Sequence, residues 1–313
     1  MLIWYNEFMN IPITQSDAWQ KLQDDLGEVT YREKQENFQY LAIQNNTPIA
    51  NYLYLPYGPI VKDKKSLNDS INSLKKLAAQ HDITFIRVEL QNPALTKHFT
   101  KEFKKTKDLN PKETWVLDLE GSEAELKQKL PSRLVRYYKN MSKNGLTIEK
   151  SQDPEDIRYL IDLQKALAKE KGIITFSESY LKTELAQPFS TLYLLKANQE
   201  IVAAGMVFDD KTTRYNLQGA QSDAGRKLHA TGILTIQLIL DAKANGQKFF
   251  DFWGIAPEGA PKNHPWAGFT SFKKTFAGRE VDYAGTYDII LSPFKYRLYQ
   301  AFRTINRLVR KIK

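Results

Sequence analysis

The chain has 313 residues, 42% of them hydrophobic, which is enough for one large domain or two ordinary ones with separate cores. It has no cysteine and only four scattered histidines (His81, His98, His229, His264), which excludes disulfides, thiolate metal sites and a cysteine nucleophile, and leaves no histidine pair at metal-ligand spacing. Of the net charge of +9, seven basic residues and no acidic one fall from Phe294 onward, so the rest of the chain is close to neutral and a uniformly basic nucleic-acid binder is excluded.

The first residues, MLIWYNEFMNIPITQ, lack the basic start and apolar core of a secretory signal, and no run is apolar for long enough to cross a bilayer. A cytoplasmic location is therefore expected. Residues 37–44 and 48–55 read as two strands joined by a short Asn-Asn-Thr turn. A helix is expected from about Ser66, where Ser-Leu-Asn-Asp resembles a capping box and Leu67, Ile71, Leu74 and Leu77 share a face. The apolar strand ITFIRVEL (83–90), a lysine-rich helix near 94–105 and the strand TWVLDL (114–119) follow. Asp153-Pro154-Glu155 opens a second long helix with a cap, a first-turn proline and acidic residues toward the positive end of the dipole, reaching Gly172. Three strands then follow (STLYLLKA, IVAAGMVFD, TRYNLQGA), with a helix over 233–246, the strand KFFDFWG, a short helix around FTSFKKTFAG and a last strand, YDIIL. Hairpin, helix, strand, helix, strand occurs twice without residue-level repetition. The expected fold is therefore α/β (α+β), with two domains meeting near 145–150, each a mixed, mostly antiparallel sheet flanked by helices.

The tail FKYRLYQAFRTINRLVRKIK reads as a helix with Leu298, Phe302, Ile305, Val309 and Ile312 along one stripe and basic residues elsewhere. Two accounts are compatible: the stripe docks on the protein's own core, or the helix is drawn to anionic lipid or RNA phosphate.

The meander, helix, strand order is similar to that of GNAT-type N-acyltransferases, whose acyl-CoA members cradle a pyrophosphate on backbone amides at a glycine-rich helix start. Here that loop reads GRKLHATG, with His229 where the first glycine belongs, so the backbone is obstructed and acyl-CoA looks like the wrong donor. Gly232 alone before a helix more often marks a helix start.

The last third has a strand ending in Asp-Phe-Trp-Gly (251–254), then Phe-Lys-x-x-Phe (272–276) and Tyr-x-Gly-Thr-Tyr-Asp (283–288). In these motifs it resembles the Fem-type (FemABX) aminoacyltransferases, which build peptidoglycan interpeptide bridges from aminoacyl-tRNA. A looser likeness includes Gln15-Ser16-x-x-Trp19, Gly58-Pro59 and a basic helix with Arg133, Arg136, Lys139 and Lys143 ending at Gly145. The resemblance implies two GNAT-like domains. The first, for the acceptor, would cover 1–147, with 288–313 packing back on it; the second, on the aminoacyl-tRNA side and bearing the catalytic lysine, would cover 148–287. The helical arm of some members has no counterpart, since no long heptad run exists between 150 and 190.

Lys273 matches the family's catalytic lysine and Phe272, beside it, would contribute main-chain contacts. A tetrahedral intermediate gathers charge on the former carbonyl oxygen, and a lysine held in a desolvated cleft can stabilise it. The alternative is that Lys273 and Lys274 are ordinary solvated lysines on a short helix. Glu89 stands where the family often has an acid near the incoming amine; otherwise it is a strand-end carboxylate paired with Arg87. Tyr180 is retained from an Arg-x-x-x-Tyr step whose first position is Phe176. Gln23 replaces a lysine that contacts the acceptor's diphosphate in some members, and Leu217 replaces an aromatic two residues after Tyr215. Tyr215 is nonetheless carried over as a substrate contact, and Trp266, like Trp253, could stack on a sugar or base or be a buried loop aromatic. His264 serves a turn.

The resemblance implies transfer of an amino acid from aminoacyl-tRNA to the stem-peptide amine of a nucleotide-linked (UDP) or lipid-linked muropeptide precursor, by a monomer without metal or cofactor, in the cytoplasm or at the inner face of the membrane. Two other classes stay open: another N-acyltransferase on this fold, and a non-catalytic RNA- or membrane-binding module driven by the tail.

Overall fold

The computed structural model describes the backbone of residues 11–171, 176–264 and 266–312, and the side chains of 11–166, 176–264 and 266–305. The chain divides into two compact units, residues 1–112 with 282–313 and residues 113–281.

The first unit is built on a seven-stranded sheet. Its strands are β1 (Val29–Lys34), β2 (Phe38–Asn46), β3 (Asn51–Leu55), β4 (Ile60–Val61), β5 (Ile83–Glu89), β6 (Phe103–Lys105) and β14 (Thr286–Ile290). Their order is β1-β2-β3-β5-β14-β6, with β4 on β2. Every pair is antiparallel except β3 with β5, which are joined through helix α2 (Lys64–Gln80). Helix α1 (Asp17–Asp25) precedes β1 and is capped by Ser16, which accepts from the Trp19 amide. The box that starts α2 is not Ser-Leu-Asn-Asp: Asp63 is the cap and Ser66 its reciprocal partner, so the helix begins two residues earlier than expected. Leu67, Ile71, Leu74 and Ala78 of α2 lie against Leu53, Ile86 and Val88 of the sheet. Residues 93–98 form a 3-10 turn and 103–105 an edge strand, in place of the expected lysine-rich helix.

The second unit repeats the plan. Its sheet contains β7 (Glu113–Asp118), β8 (Leu146–Ser151), β9 (Ser190–Ala197), β10 (Glu200–Asp209), β11 (Thr213–Gln221), β12 (Phe249–Gly254) and β13 (Arg279–Asp282), in the order β13-β7-β12-β11-β10-β9-β8. Again one pair, β11 with β12, is parallel. The helices are α3 (Glu123–Lys129), α4 (Ser132–Lys139), α5 (Ile157–Lys171), α6 (Glu178–Leu185), α7 (Asp223–Lys227), α8 (Ala230–Ala244) and α9 (Ala267–Lys273). Helix α8 crosses from β11 to β12 and is apolar on nearly every side because it is buried, with Ile233, Leu234 and Leu238 packed among Val207, Phe250 and Phe252.

Strand β7 pairs with β12, so 113–118 and the helices after it belong to this unit, and the division falls some way before the expected boundary near 147. Gly172, where α5 was expected to end, lies outside the described residues.

The last helix, α10 (Pro293–Ile312), returns to the first unit. It docks through Tyr296 and Tyr299, which are buried against Phe85 of β5. The stripe expected to dock is not the docking face: Leu298 and Ile305 are exposed. The side chains of Val309 and Ile312 lie outside the described ones.

Candidate active site

Strand β12 carries an aspartate in an otherwise apolar run, FFDFWG. Asp251 is fully buried; its carboxylate accepts from the Thr114 hydroxyl on neighbouring β7 and from the Trp253 amide at 2.7 Å. That second bond spans two residues and holds Trp253 in the left-handed region at φ 63°, unusual for a bulky side chain. The pairing of β12 with β7 slips at this point, between Asp251 and Gly254. The result is a turned-out strand end whose carbonyls receive a lysine: Lys273 Nζ donates to Gly254 O at 2.7 Å and Trp253 O at 3.4 Å.

Lys273 is the last residue of α9 and is partly buried. Burial pushes its ammonium down to about 8, and the negative charge of Asp251 works against that shift. Burial pushes Asp251 up to about 6, opposed by its bonds to Thr114 and Trp253 and by the charge on Lys273. Near neutral pH the lysine is therefore charged and the aspartate ionised. Two of the three ammonium donors have acceptors among the described residues, which leaves one for a ligand.

Lys273 also lines a cavity of about 740 Å3 that lies wholly within the second unit. Its wall is formed by Leu217 and Gln218 of β11, His229 and Thr231 at the start of α8, and Phe269 and Phe272 of α9. At the loop where acyl-CoA enzymes bare their backbone, this chain has a bulky side chain in a left-handed conformation. His229 adopts φ 57°, and its ring stacks on Tyr137 of α4 with centroids 4.5 Å apart. A side chain at Gly232 would strike Leu134 of α4 at 2.6 Å, so this glycine serves close helix packing.

The other sequence-derived residues fall in different places. Phe272 lies beside Lys273 and packs edge-on against Phe276, while its carbonyl accepts from Thr275. Tyr215 donates to Asp210 and meets the edge of Trp253, whose carbonyl receives Lys273. Trp266 caps α9, half exposed, and its amide donates to His264 Nδ1, which gives that histidine its turn role; Pro265 lies outside the described residues. Lys274 pairs with Glu280 and lies over the Trp115 ring, a surface arrangement. Tyr180 hydrogen-bonds Glu184 on the same helix, and burial pushes that carboxyl up to about 8. Exposed Phe176 stacks on Tyr180.

Glu89 belongs to the first unit and is buried. It accepts from Tyr54, Thr286 and both the backbone and side-chain nitrogens of Asn110. It does not pair with Arg87, whose guanidinium is taken by Asp288. Asp251 and Thr114 were not singled out from sequence for a role. The available signal was a lone carboxylate inside a strand too apolar to tolerate one without partners.

A sheet with one parallel joint, occurring twice in one chain and carrying in its second copy a partly buried lysine on a cavity wall, defines a tandem GNAT-like fold. Residues 182–304 match the family model described as the FemAB family, and the Fem-type resemblance read from the sequence holds. The crystal structure of FemX superposes with a TM-score of 0.78 at 18% identity, covering 93% of this chain and 96% of that one. The C-terminal domain of a protein assigned as a lysylphosphatidylglycerol synthetase from Agrobacterium fabrum gives 0.61 at 17% identity, covering 93% of each chain. A tandem GNAT protein from the clavulanic acid biosynthesis pathway gives 0.50 at 12% identity, covering 82% of this chain and 80% of its own. These likenesses establish the shared fold. No curated protein matches the sequence. The family match supports an acyltransferase of the peptidoglycan-bridge kind.

Proposed function

We propose that the protein transfers an amino acid from aminoacyl-tRNA to the stem-peptide amine of a peptidoglycan precursor, with Lys273 as the catalytic residue. The observation that carries this reading is the partly buried Lys273 ammonium on the cavity wall, held by the Trp253 and Gly254 carbonyls. The incoming amine forms a C–N bond at the ester carbon and the carbonyl oxygen becomes an oxyanion. The remaining donor of Lys273 meets that oxygen. Collapse breaks the ester C–O bond, and the proton lost by the amine passes to the departing ribose oxygen. Phe272 and Leu217 line the same cavity as the lysine, and apolar walls strengthen an interaction made there.

An ester donor fits better than acyl-CoA, because His229 and Tyr137 fill the place where a diphosphate would need bare backbone. The cavity would then receive the aminoacylated end of the tRNA, with Tyr215 and Trp266 as contacts. Tyr180 would contact the acceptor, and Glu89 would act on the amine side through the network it holds. The first unit would serve mainly the acceptor and the second mainly the donor, with Tyr180 the second unit's own contribution to the acceptor.

The test is a purified assay with charged tRNA or acyl-CoA as donor and nucleotide-linked or lipid-linked muropeptide as acceptor. Transfer from charged tRNA alone is expected. Lys273→Met should lower turnover by about 100- to 1,000-fold, the loss typical of one oxyanion donor, in a folded protein. A variant that turns over at the wild-type rate would overturn the assignment.

A further inference from the structure

Helix α10 docks through one face and leaves the opposite one bare. At 100° per residue, Phe294, Leu298, Ala301 and Ile305 fall within a sector of about 60° opposite Tyr296 and Tyr299. Phe294 is 72% exposed, Leu298 46% and Ile305 58%, and Ala301 is also exposed. No charged or polar residue falls in this sector between 294 and 305. This long apolar stripe lies on a segment that carries seven basic residues and no acidic one.

We infer that this face of α10 is a membrane-docking surface for a bilayer rich in anionic headgroups, on which the helix lies parallel to the surface. The charge specifies the partner: without a carboxylate on the segment, only an anionic surface gains from every side chain near it. Arg297 flanks the stripe and is exposed. Lys295, on the other flank, is held by Asp82 of the first unit at 2.9 Å. The stripe itself decides against RNA, since aliphatic side chains offer nothing to phosphate or base edges, whereas they partition into the acyl boundary. The docked face supplies the rigidity. With Tyr296 bonded to Asp288 and Tyr299 against Phe85, the helix is held in place with its apolar sector outward. The inference does not depend on Lys273 or on any donor.

The experiment is co-sedimentation of the full chain with vesicles of phosphatidylcholine alone or mixed with phosphatidylglycerol. Comparison variants are Leu298→Glu/Ile305→Glu and Arg297→Glu, with folding checked by thermal melting, and Lys273→Met as a control that should bind as wild type does. Binding to the anionic vesicles only is expected, weakened at least about tenfold by the double glutamate variant and relieved by salt. Arg297→Glu, which keeps the stripe, should weaken binding less than the double variant. Absence of binding, equal binding to both lipids, or unchanged binding by the double variant would overturn the inference. So would a double variant that loses tRNA binding or self-association while its vesicle binding stays the same.

Discussion

The Lys273 ammonium sits at about 8, close enough to neutrality for its charge to be switched by pH. If that charge stabilises an oxyanion, turnover should fall as pH rises through about 8, even as the attacking amine becomes more available. Asp251 raises the lysine's pKa, so replacing its charge should lower it further. Asp251→Asn keeps an oxygen for Thr114 and the Trp253 amide, and should move the descending limb of the pH–rate profile to lower pH while KM for the donor changes little. A profile that does not move would mean that the pair is electrostatically irrelevant to catalysis. Stability gives the opposite sign. The folded lysine releases its proton near 8 and the unfolded one near 10.5, so between those values the unfolded state binds more protons and the wild type grows more stable with rising pH. Lys273→Met removes a partly desolvated charge but also the cation facing buried Asp251 and the donor to two carbonyls, so it should stay folded and melt somewhat below wild type at pH 7. The lysine itself was legible from its motif. Its partner was not, because the contact that matters runs from Asp251 to Thr114, and nothing local in the sequence brings residues 137 apart together.

The elements read correctly from sequence include β2, β3, β5, β7, β9, β10, β11, β12 and β14 and the helices α2, α5, α8 and α10, most of them with strong apolar periodicity. The strands missed were the two-residue β4, which pairs only with β2, and β1, β6, β8 and β13, the four ends of the two strand orders. Edge strands carry charge on purpose, as in YREK and IEKS, because a flat apolar edge recruits other chains; the feature that protects them also erases their signal. Gly232 is a similar case. Its place before a helix suggested a helix start, and the structure gives it a packing duty against Leu134. Gly232→Ala puts a methyl against the Leu134 Cδ atoms, which can turn aside, and gains up to about 1 kcal/mol of helix propensity, so its net cost in denaturant unfolding should stay below about 1 kcal/mol. Combining it with Leu134→Ala should recover at least about 0.5 kcal/mol relative to additivity. Strict additivity would show that the two helices do not press on each other there.

At the scale of the whole chain, the first unit is completed by residues 282–313: β14 enters between β5 and β6, an interior place in the sheet, after the entire second unit has been made. What fastens it is a buried ion pair. Arg87 of β5 meets both oxygens of Asp288 at 2.7 and 2.8 Å, and Tyr296 of α10 donates to the same carboxylate at 2.8 Å, so a strand and a helix are tied at one point. The sequence suggested Glu89 as the partner of Arg87, which is the near neighbour; the true partner is 201 residues away and becomes available only through the return of the chain. Removing Asp288 leaves a guanidinium buried against the stacked rings of Tyr52 and Phe85 without its counter-charge. Asp288→Ala should therefore cost about 3–5 kcal/mol in urea unfolding and release α10, seen as early proteolysis after residue 293, while replacing both partners with apolar residues should cost much less. If Asp288→Ala unfolds like wild type, the C-terminal return is held by packing of Tyr296 and Tyr299 alone, and the ion pair is dispensable.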